Sequence, residues 1–106
     1  MESGATATPQ LSTWGLTSAE GTFRSIPLGV TTIGRGETND LCLDDIKASR
    51  FHAELRTTAE GMEVIDLNST NGTFVNGECL TPTQPRALHE GDEIVVAKTR
   101  FTVSKD

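Results

Sequence analysis

Short stretches of alternating apolar and polar residues, separated by turn-forming residues, are the feature that most restricts the fold of this chain. The run "RFHAELRTT" at residues 50–58 predicts a strand with Phe51, Ala53 and Leu55 on one face and His52 on the other. Separators such as "GRGETND" and "TPTQP" are rich in Gly, Asn, Asp and Pro. Because no long helical pattern is present, about ten short strands predict an all-β fold, a two-sheet β-sandwich.

The length and charge of the chain limit its organisation and its partners. A chain of 106 residues suits one domain, and we expect a flexible tail at residues 1–10 followed by the sandwich domain at residues 11–104. The net charge of −6 argues against nonspecific binding to nucleic acid or to anionic membranes. A few well-placed donors can still bind a small anion locally. The sequence shows neither a secretory signal nor a long apolar run, which predicts a cytoplasmic location.

The residues that most often hold metals are not grouped in this sequence. Cys42 and Cys79 belong to no Cys-X-X-Cys pair and have no histidines at metal-ligand spacing. The stretch "DLCLDDIKASRF" lacks the alternating carboxylates and final glutamate of a calcium loop. We therefore expect no metal and no cofactor, and we expect Asp44 and Asp45 to cap a turn or to remain solvated.

The first of three unusually polar loops is contained in "IGRGETNDLCL". Gly34 and Gly36 flank Arg35, so the backbone can bend sharply around that side chain. No Gly-Lys-Ser/Thr sequence follows, so this is not a Walker loop. Taken alone, Arg35 is one of nine basic residues and has no special status.

The second loop, "DDIKASRFHAEL", holds Ser49, Arg50 and His52 at the junction between a loop and a strand. A serine and a histidine suggest a hydrolase, but no nucleophile elbow is present and this spacing does not make a catalytic pair. We expect His52 to form a hydrogen bond that holds a neighbouring loop in place. Ser49 can donate its hydroxyl to an anion.

The third loop lies in "NSTNGTFVNG", residues 68–77. Its two Asn-Gly pairs favour tight turns. Its two Asn-X-Thr patterns would be glycosylation sites only in a secreted protein, for which the sequence offers no support. Tight turns alone do not explain why the polar residues Ser69 and Thr70 precede the first pair.

Taken in order, these segments resemble the forkhead-associated (FHA) domain. The resemblance extends from about Gly29 to Val103, and the later segment "LHEGDEIVV" also matches the pattern of that family. It implies a sandwich of about eleven mostly antiparallel strands whose loops at one end bind a phosphothreonine peptide. The residues that carry it are Gly34-Arg35, Asp40-Leu41-X-Leu43, Ser49-Arg50-X-His52 and the run from Asp66 to Gly77.

The resemblance also implies a role for each residue of the site. Arg35, Ser49, Arg50 and Thr70 would bind the phosphate, and Asn71 would hold the peptide main chain. Lys47 lies in the loop that could read the third residue after the phosphothreonine and favour an acidic one there, or it is simply solvated. The residues expected to support these loops are Gly34, His52, Gly72, Asn76 and Gly77.

The function implied is a phosphothreonine-peptide-binding module that mediates phosphorylation-dependent protein–protein interaction in Ser/Thr kinase signalling. We expect binding without catalysis. The partner would be a phosphothreonine-containing protein, such as a Ser/Thr kinase or its substrate, and neither nucleic acid nor membrane. The alternative is a phosphate-independent interaction scaffold of the same fold.

Overall fold

The computed structural model describes residues 13–105 of the chain, so the predicted tail at residues 1–10 lies outside the described residues. The domain boundaries at residues 11–104 stay a prediction. Within residues 13–105 the chain forms eleven β-strands. They are β1 (Trp14–Ser18), β2 (Phe23–Ser25), β3 (Gly29–Gly34), β4 (Leu41–Cys42), β5 (Ala53–Thr57), β6 (Met62–Asp66), β7 (Thr73–Val75), β8 (Glu78–Cys79), β9 (Arg86–Leu88), β10 (Glu93–Val96) and β11 (Thr99–Lys105).

The strands form two sheets that enclose one core. The six-stranded sheet has the order β2-β1-β11-β10-β7-β8, and the five-stranded sheet has the order β4-β3-β5-β6-β9. The paired strands are antiparallel except β3 and β4, which run parallel. The predicted fold class, a β-sandwich of about eleven mostly antiparallel strands, is confirmed.

The core is built from the inward-facing side chains of both sheets. Alternation along β5, β7, β10 and β11 places every second residue there, because successive side chains of a strand point to opposite faces. The apolar side chains that are at most 1% exposed are Leu16, Ile26, Ile33, Ala53, Leu55, Val64, Val75, Ile94, Val96 and Val103.

One predicted strand face is wrong at its first position. Phe51 is 50% exposed, whereas His52 is fully buried. Strand β5 begins only at Ala53, and the regular alternation with Leu55 starts there. Residues 51 and 52 belong to the preceding loop, where His52 is drawn inward by hydrogen bonds that are described below.

The Asn76-Gly77 pair forms the tight turn that the sequence predicted. Both residues have positive φ, 50° and 86°, and the flanking residues Val75 and Glu78 are paired across the hairpin. Positive φ at both central residues is the signature of the two-residue turn that suits the twist of a hairpin.

One row of residues brings the three polar loops to the same end of the sandwich. Ile33 of β3, Ala53 of β5 and Asp66 of β6 are paired side by side across the five-stranded sheet. The chain leaves β3 and β6 just after this row and enters β5 at it. The loops attached to these three strands therefore emerge as neighbours.

Candidate functional site

The three neighbouring loops form the candidate site. We call residues 35–40 the first loop, residues 43–52 the second loop and residues 67–72 the third loop. Main-chain hydrogen bonds join the first and second loops, from Arg35 N to Ser49 O at 2.9 Å and from Gly36 N to Arg50 O at 3.0 Å. Another joins the third loop to the second, from Leu67 N to His52 O at 2.9 Å.

The Arg35 side chain is exposed and partly fixed. Its Nε donates to the carbonyl of Ala48 at 3.1 Å. The two terminal guanidinium nitrogens have no hydrogen-bond partner among residues 13–105, so they remain available to an external acceptor. A guanidinium held in this way presents a planar pair of donors, which suits an anion with several oxygens.

Glycine is required at positions 34 and 36 because the first and second loops approach each other closely there, and not because the backbone adopts a left-handed conformation. Neither is among the glycines of positive φ in the described chain. A Cβ atom on Gly34 would lie 2.2 Å from the carbonyl oxygen of Arg50, and one on Gly36 would lie 2.7 Å from the Arg50 Cγ. Glycine therefore lets the first loop lie directly against the main chain of the second.

Ser49 and Thr70 meet across the second and third loops. The Ser49 hydroxyl oxygen accepts a hydrogen bond from Thr70 N at 3.0 Å. A hydroxyl that accepts one bond still has its proton to donate. The Thr70 hydroxyl is exposed and unpaired within the described residues. The structure thus brings the Ser49 hydroxyl against the main chain of Thr70, while the Ser49 carbonyl accepts from Arg35 N.

Asn71 holds the second loop at the same place. Its Nδ2 donates to the main-chain carbonyl of Lys47 at 2.6 Å. One amide N–H and the amide oxygen of Asn71 remain available. The Lys47 side chain is exposed and makes no hydrogen bond or ion pair with another described residue.

His52 joins the second loop to the third. It is fully buried, and its Nδ1 accepts a hydrogen bond from Ser49 N at 3.0 Å. Its Nε2 lies 2.8 Å from the carbonyl oxygen of Gly72. Because a main-chain N–H can only donate, Nδ1 is the acceptor and the ring proton lies on Nε2, which donates to Gly72. A single neutral imidazole therefore forms hydrogen bonds with both the second and the third loop.

Asp66 is a supporting residue that sequence reasoning missed. Its side chain is 1% exposed and accepts from Ser69 N at 3.1 Å, Ser69 Oγ at 2.5 Å and Thr73 Oγ1 at 2.6 Å. Ser69 Oγ in turn accepts from Gly72 N at 3.0 Å. This network explains why a polar residue, Ser69, stands before Thr70: its hydroxyl links Asp66 to the main chain of Gly72. The Asp-X-X-Ser spacing was the available signal, because an aspartate often accepts from residues just after it.

The hydrogen bonds to Asp66 also set its protonation. Burial raises the pKa of this carboxyl, but the bonds from Ser69 and Thr73 lower it more, so the pKa lies below its ordinary value. Asp66 is therefore a carboxylate at neutral pH, which is the form that accepts all three bonds.

Asn39 is a second supporting residue that sequence reasoning missed. Its Nδ2 donates to the carbonyl of Gly36 at 2.8 Å and to that of Arg50 at 2.7 Å. The side chain is 7% exposed and closes the first loop against the second. No local pattern in "GRGETND" distinguishes this asparagine from an ordinary turn residue.

Asp45 caps the second loop, as one of its two sequence interpretations predicted. Its Oδ1 accepts from Lys47 N at 2.9 Å. Its Oδ2 accepts from Lys98 N at 3.0 Å and from Thr99 Oγ1 at 2.7 Å. Although desolvation raises the pKa of Asp45, these hydrogen bonds bring it below the ordinary value. The carboxylate thereby fastens the second loop to the turn between β10 and β11.

Arg50 lies on the first-loop side of the site. Its side chain is exposed, its Cγ lies beside Gly36, and it borders a cavity next to the first loop. Arg35 borders the same cavity, whereas Ser49 and Thr70 do not. Both arginines therefore border one cavity on the first-loop side of the site.

Asn76 and Gly77 lie outside the loop cluster, at the far end of β7 from Gly72. Asn76 Oδ1 accepts from Glu93 N at 2.9 Å, and its Nδ2 donates to Asp92 Oδ1 at 3.0 Å. This pair fixes the β7–β8 hairpin to β10. Gly72, with a φ of 86°, closes the third loop itself.

Residues 13–105 contain no group of three or more His, Cys, Asp or Glu side chains placed to hold a metal ion. In the same part of the chain, no helix has the length and apolar character needed to span a membrane.

Comparison with known proteins identifies curated relatives that are similar in sequence. The oxoglutarate dehydrogenase inhibitor of Corynebacterium efficiens is 46% identical over 71 residues, which are 67% of this chain and 48% of the relative. The glycogen accumulation regulator GarA of Mycobacterium tuberculosis is 41% identical over 72 residues, 68% of this chain and 43% of the relative. The chain therefore spans about half the length of the curated relatives it matches.

A solved structure and a family model agree with these relatives. The structure comes from a structural and functional analysis of phosphothreonine-dependent FHA domain interactions. It is 33% identical, with a TM-score of 0.78, and the match covers 88% of this chain and 96% of the solved one. The model of the FHA domain matches residues 31–97, which include all three loops. The chain belongs to the FHA domain family.

Proposed function

We propose that this chain is a phosphothreonine-peptide-binding module that mediates phosphorylation-dependent protein–protein interaction without catalysis. The observation that carries the proposal is that hydrogen bonds hold the loops of Arg35, Ser49 and Thr70 together: Arg35 binds the carbonyls of Ala48 and Ser49, and Thr70 N binds the Ser49 hydroxyl. A phosphate at neutral pH has a charge of about −1.5 to −2 and three strong acceptor oxygens. It therefore needs both a cation and several neutral donors, and these three side chains supply them.

The roles of the residues follow from the hydrogen-bonding groups that have no partner among the described residues. Arg35 offers its terminal nitrogens to the phosphate, because its Nε is already bound to Ala48. Ser49 and Thr70 each have a hydroxyl proton to donate. Asn71 keeps one amide N–H and its amide oxygen for a peptide main chain, because its other N–H holds Lys47.

Lys47 adds selectivity to this proposal. The exposed ammonium group of Lys47 would favour an acidic residue at the third position after the phosphothreonine. That assignment follows from the family resemblance and from the position of Lys47 at the surface of the second loop, beside Asn71.

The relatives suggest the setting in which the module works. One is an inhibitor of oxoglutarate dehydrogenase and another a regulator of glycogen accumulation, both regulatory proteins by name. We propose that the partner is a phosphothreonine-containing protein of a Ser/Thr kinase pathway, either a kinase or its substrate. A cytoplasmic location suits this role, because protein kinases consume ATP.

Calorimetric titration of matched peptides tests the proposal. A peptide from an oriented phosphothreonine library and its unphosphorylated twin are titrated into the wild-type chain and into Arg35→Ala. One charge-assisted hydrogen bond contributes about 1.5–3 kcal/mol, so Arg35→Ala should weaken phosphopeptide binding by roughly 10- to 200-fold. Arg56→Ala is the control, because Arg56 lies near the opposite end of β5 and is paired with Glu54.

The same titration separates this function from its alternative. Equal affinity for the phosphorylated and unphosphorylated peptides would reject phosphothreonine recognition. Binding that survives the double change Arg35→Ala and Ser49→Ala would favour the phosphate-independent scaffold instead.

A further inference from the structure

The outward face of the six-stranded sheet carries very little charge. Along its strands, within residues 13–105, Glu93 of β10 and Arg100 of β11 are the only charged side chains that point outward. These two side chains are also paired with each other, because Arg100 Nε lies 3.2 Å from Glu93 Oε2. Since the chain as a whole has a net charge of −6, this sheet gives an acidic molecule one neutral face.

The remaining charged side chains of the same strands do not contribute to this face. Each contacts a residue outside it: Arg24 the carbonyl of Asp40, Glu78 the guanidinium of Arg86 and Lys105 the ring of Trp14. The outward face of the five-stranded sheet differs, because Glu54 and Glu63 outnumber Arg56 there. Of the two sheet faces, only the six-stranded one is therefore electrically balanced.

Apolar side chains on the same face are available for contact. Phe23 of the edge strand β2 is 60% exposed. Its ring lies against Gly15 of β1, because a Cβ atom on Gly15 would be 2.4 Å from the Phe23 ring. Phe74 and Val95, which are neighbours across β7 and β10, are half-buried on this face. A ring that is already held on the sheet loses little conformational entropy when it becomes buried by a partner.

We propose that this face is the contact surface between two copies of the chain. Acidic copies repel each other wherever their charged faces meet, and this repulsion is weakest at a neutral face. The face is also complementary to itself, because Arg100 of one copy can pair with Glu93 of the other. A twofold axis repeats every contact, so this exchange of partners occurs twice in each dimer.

The area of the face predicts a weak, reversible dimer. Six strands about 4.8 Å apart span roughly 24 Å, and strands of this length cover about 13 Å, so each copy contributes roughly 300–500 Å². That is about half of the roughly 800 Å² that each partner contributes to a standard stable interface. We therefore expect a dissociation constant of about 10–300 μM. The loops of the candidate site emerge from the five-stranded sheet, so both sites stay open in the dimer.

Reversing the two charges one at a time tests the dimer on the full 106-residue chain. Sedimentation equilibrium between about 10 μM and about 1 mM measures the dissociation constant. Arg100→Glu alone and Glu93→Arg alone each place like charges across the twofold axis, and each should weaken the dimer by more than about tenfold. An equimolar mixture of the two variants should dimerise at least as tightly as the wild type, because each copy then meets opposite charges. Loss of the ion pair within one chain could not be repaired by mixing.

The matched control is Arg56→Glu, which reverses the charge of an ion-paired arginine on the other sheet and should change the dissociation constant by less than about twofold. The side chains of Arg100 and Glu93 are 62% and 43% exposed, so thermal melts should show that their variants remain folded. A wild type that is monomeric at the highest concentration would overturn the inference. A mixture that fails to associate while the wild type dimerises would place the contact elsewhere and overturn it too. Arg35→Ala should dimerise like the wild type, so a failure of the proposed function leaves this inference intact.

Discussion

The hydroxyl oxygen of Ser49 accepts a hydrogen bond from the main-chain N–H of Thr70, at 3.0 Å, across a separation of 21 residues. This bond fixes the third loop against the second before any ligand arrives. It also orients the Ser49 hydroxyl, whose proton is left to donate to a ligand. A donor that is already positioned loses less conformational entropy when a phosphate binds, which increases affinity.

Replacing Ser49 by Ala should therefore weaken phosphothreonine binding by roughly ten- to one-hundred-fold, because one donor to a charged group is lost. The same change should cost about 1 kcal/mol in the free energy of unfolding, because Thr70 N loses its partner. Calorimetry and urea denaturation measure the two effects. Ser49→Thr, which keeps a hydroxyl, is the control. Unchanged affinity in Ser49→Ala would remove Ser49 from the phosphate site.

Replacing Gly34 by Ala should destabilise the fold by about 1–3 kcal/mol, the usual cost of forcing extra atoms into a packed site. The added Cβ would lie 2.2 Å from the Arg50 carbonyl oxygen, so the first and second loops must separate. The matched control is Gly61→Ala, because nothing lies within 4 Å of a Cβ there and its φ is not positive. Equal urea midpoints for the two variants would contradict the close-approach argument.

Replacing Asp66 by Asn should cost about 1–3 kcal/mol at neutral pH, because an amide NH₂ would face the N–H of Ser69 or the hydroxyl of Thr73. The wild-type contribution depends on pH. The folded pKa of Asp66 is lowered from 3.8, so its stabilisation is complete above that ordinary value and is lost as the pH falls through the lower, folded pKa.

Thermal melts of the wild type and Asp66→Asn between pH 7 and about pH 2 check this dependence. The difference in Tm between the two proteins should be constant near neutrality and shrink only in strong acid. Asp45 and Asp92 also have lowered pKa values, but both proteins retain them, so their effect cancels in the difference. A difference that grows as the pH falls would show that Asp66 is not a stabilising carboxylate.

Replacing Asp45 by Ala should loosen the second loop locally. The N–H groups of Lys47 and Lys98 would lose their acceptor, and their hydrogen exchange should accelerate about tenfold or more. The N–H of Thr70, which binds Ser49, is an internal reference and should change little. NMR exchange measurements resolve these amides individually. Equal acceleration at all three positions would indicate global destabilisation instead.

Local patterns in the sequence predicted much of this architecture. The strands followed from apolar alternation and turn residues, and the Asn76-Gly77 hairpin followed from a dipeptide with a known turn preference. The three loops were recognised because glycines, hydroxyls and an arginine recur there in a family order. All of these signals come from residues that are close together in the sequence, and the folded chain keeps the local structures that they predict.

The parts that escaped prediction depend on contacts between distant residues. His52 is buried and Phe51 exposed because His52 bonds to Gly72, 20 residues away, and strand periodicity cannot include that bond. Asn39 closes a loop through the carbonyl of Arg50, which only the folded chain brings near. The Cγ of Arg50 lies beside Gly36, a neighbour that only the folded chain brings near.

Three main-chain hydrogen bonds form part of the frame of the site, and this has an evolutionary consequence. Arg35 to Ser49, Gly36 to Arg50 and Leu67 to His52 are joined through peptide groups, which nearly every amino acid supplies. Side chains that project from this frame, such as those at positions 37, 47 and 51, can be exchanged without rebuilding it. Single substitutions at such positions can thus change which partners the domain binds, while the residues that bind the phosphate are retained.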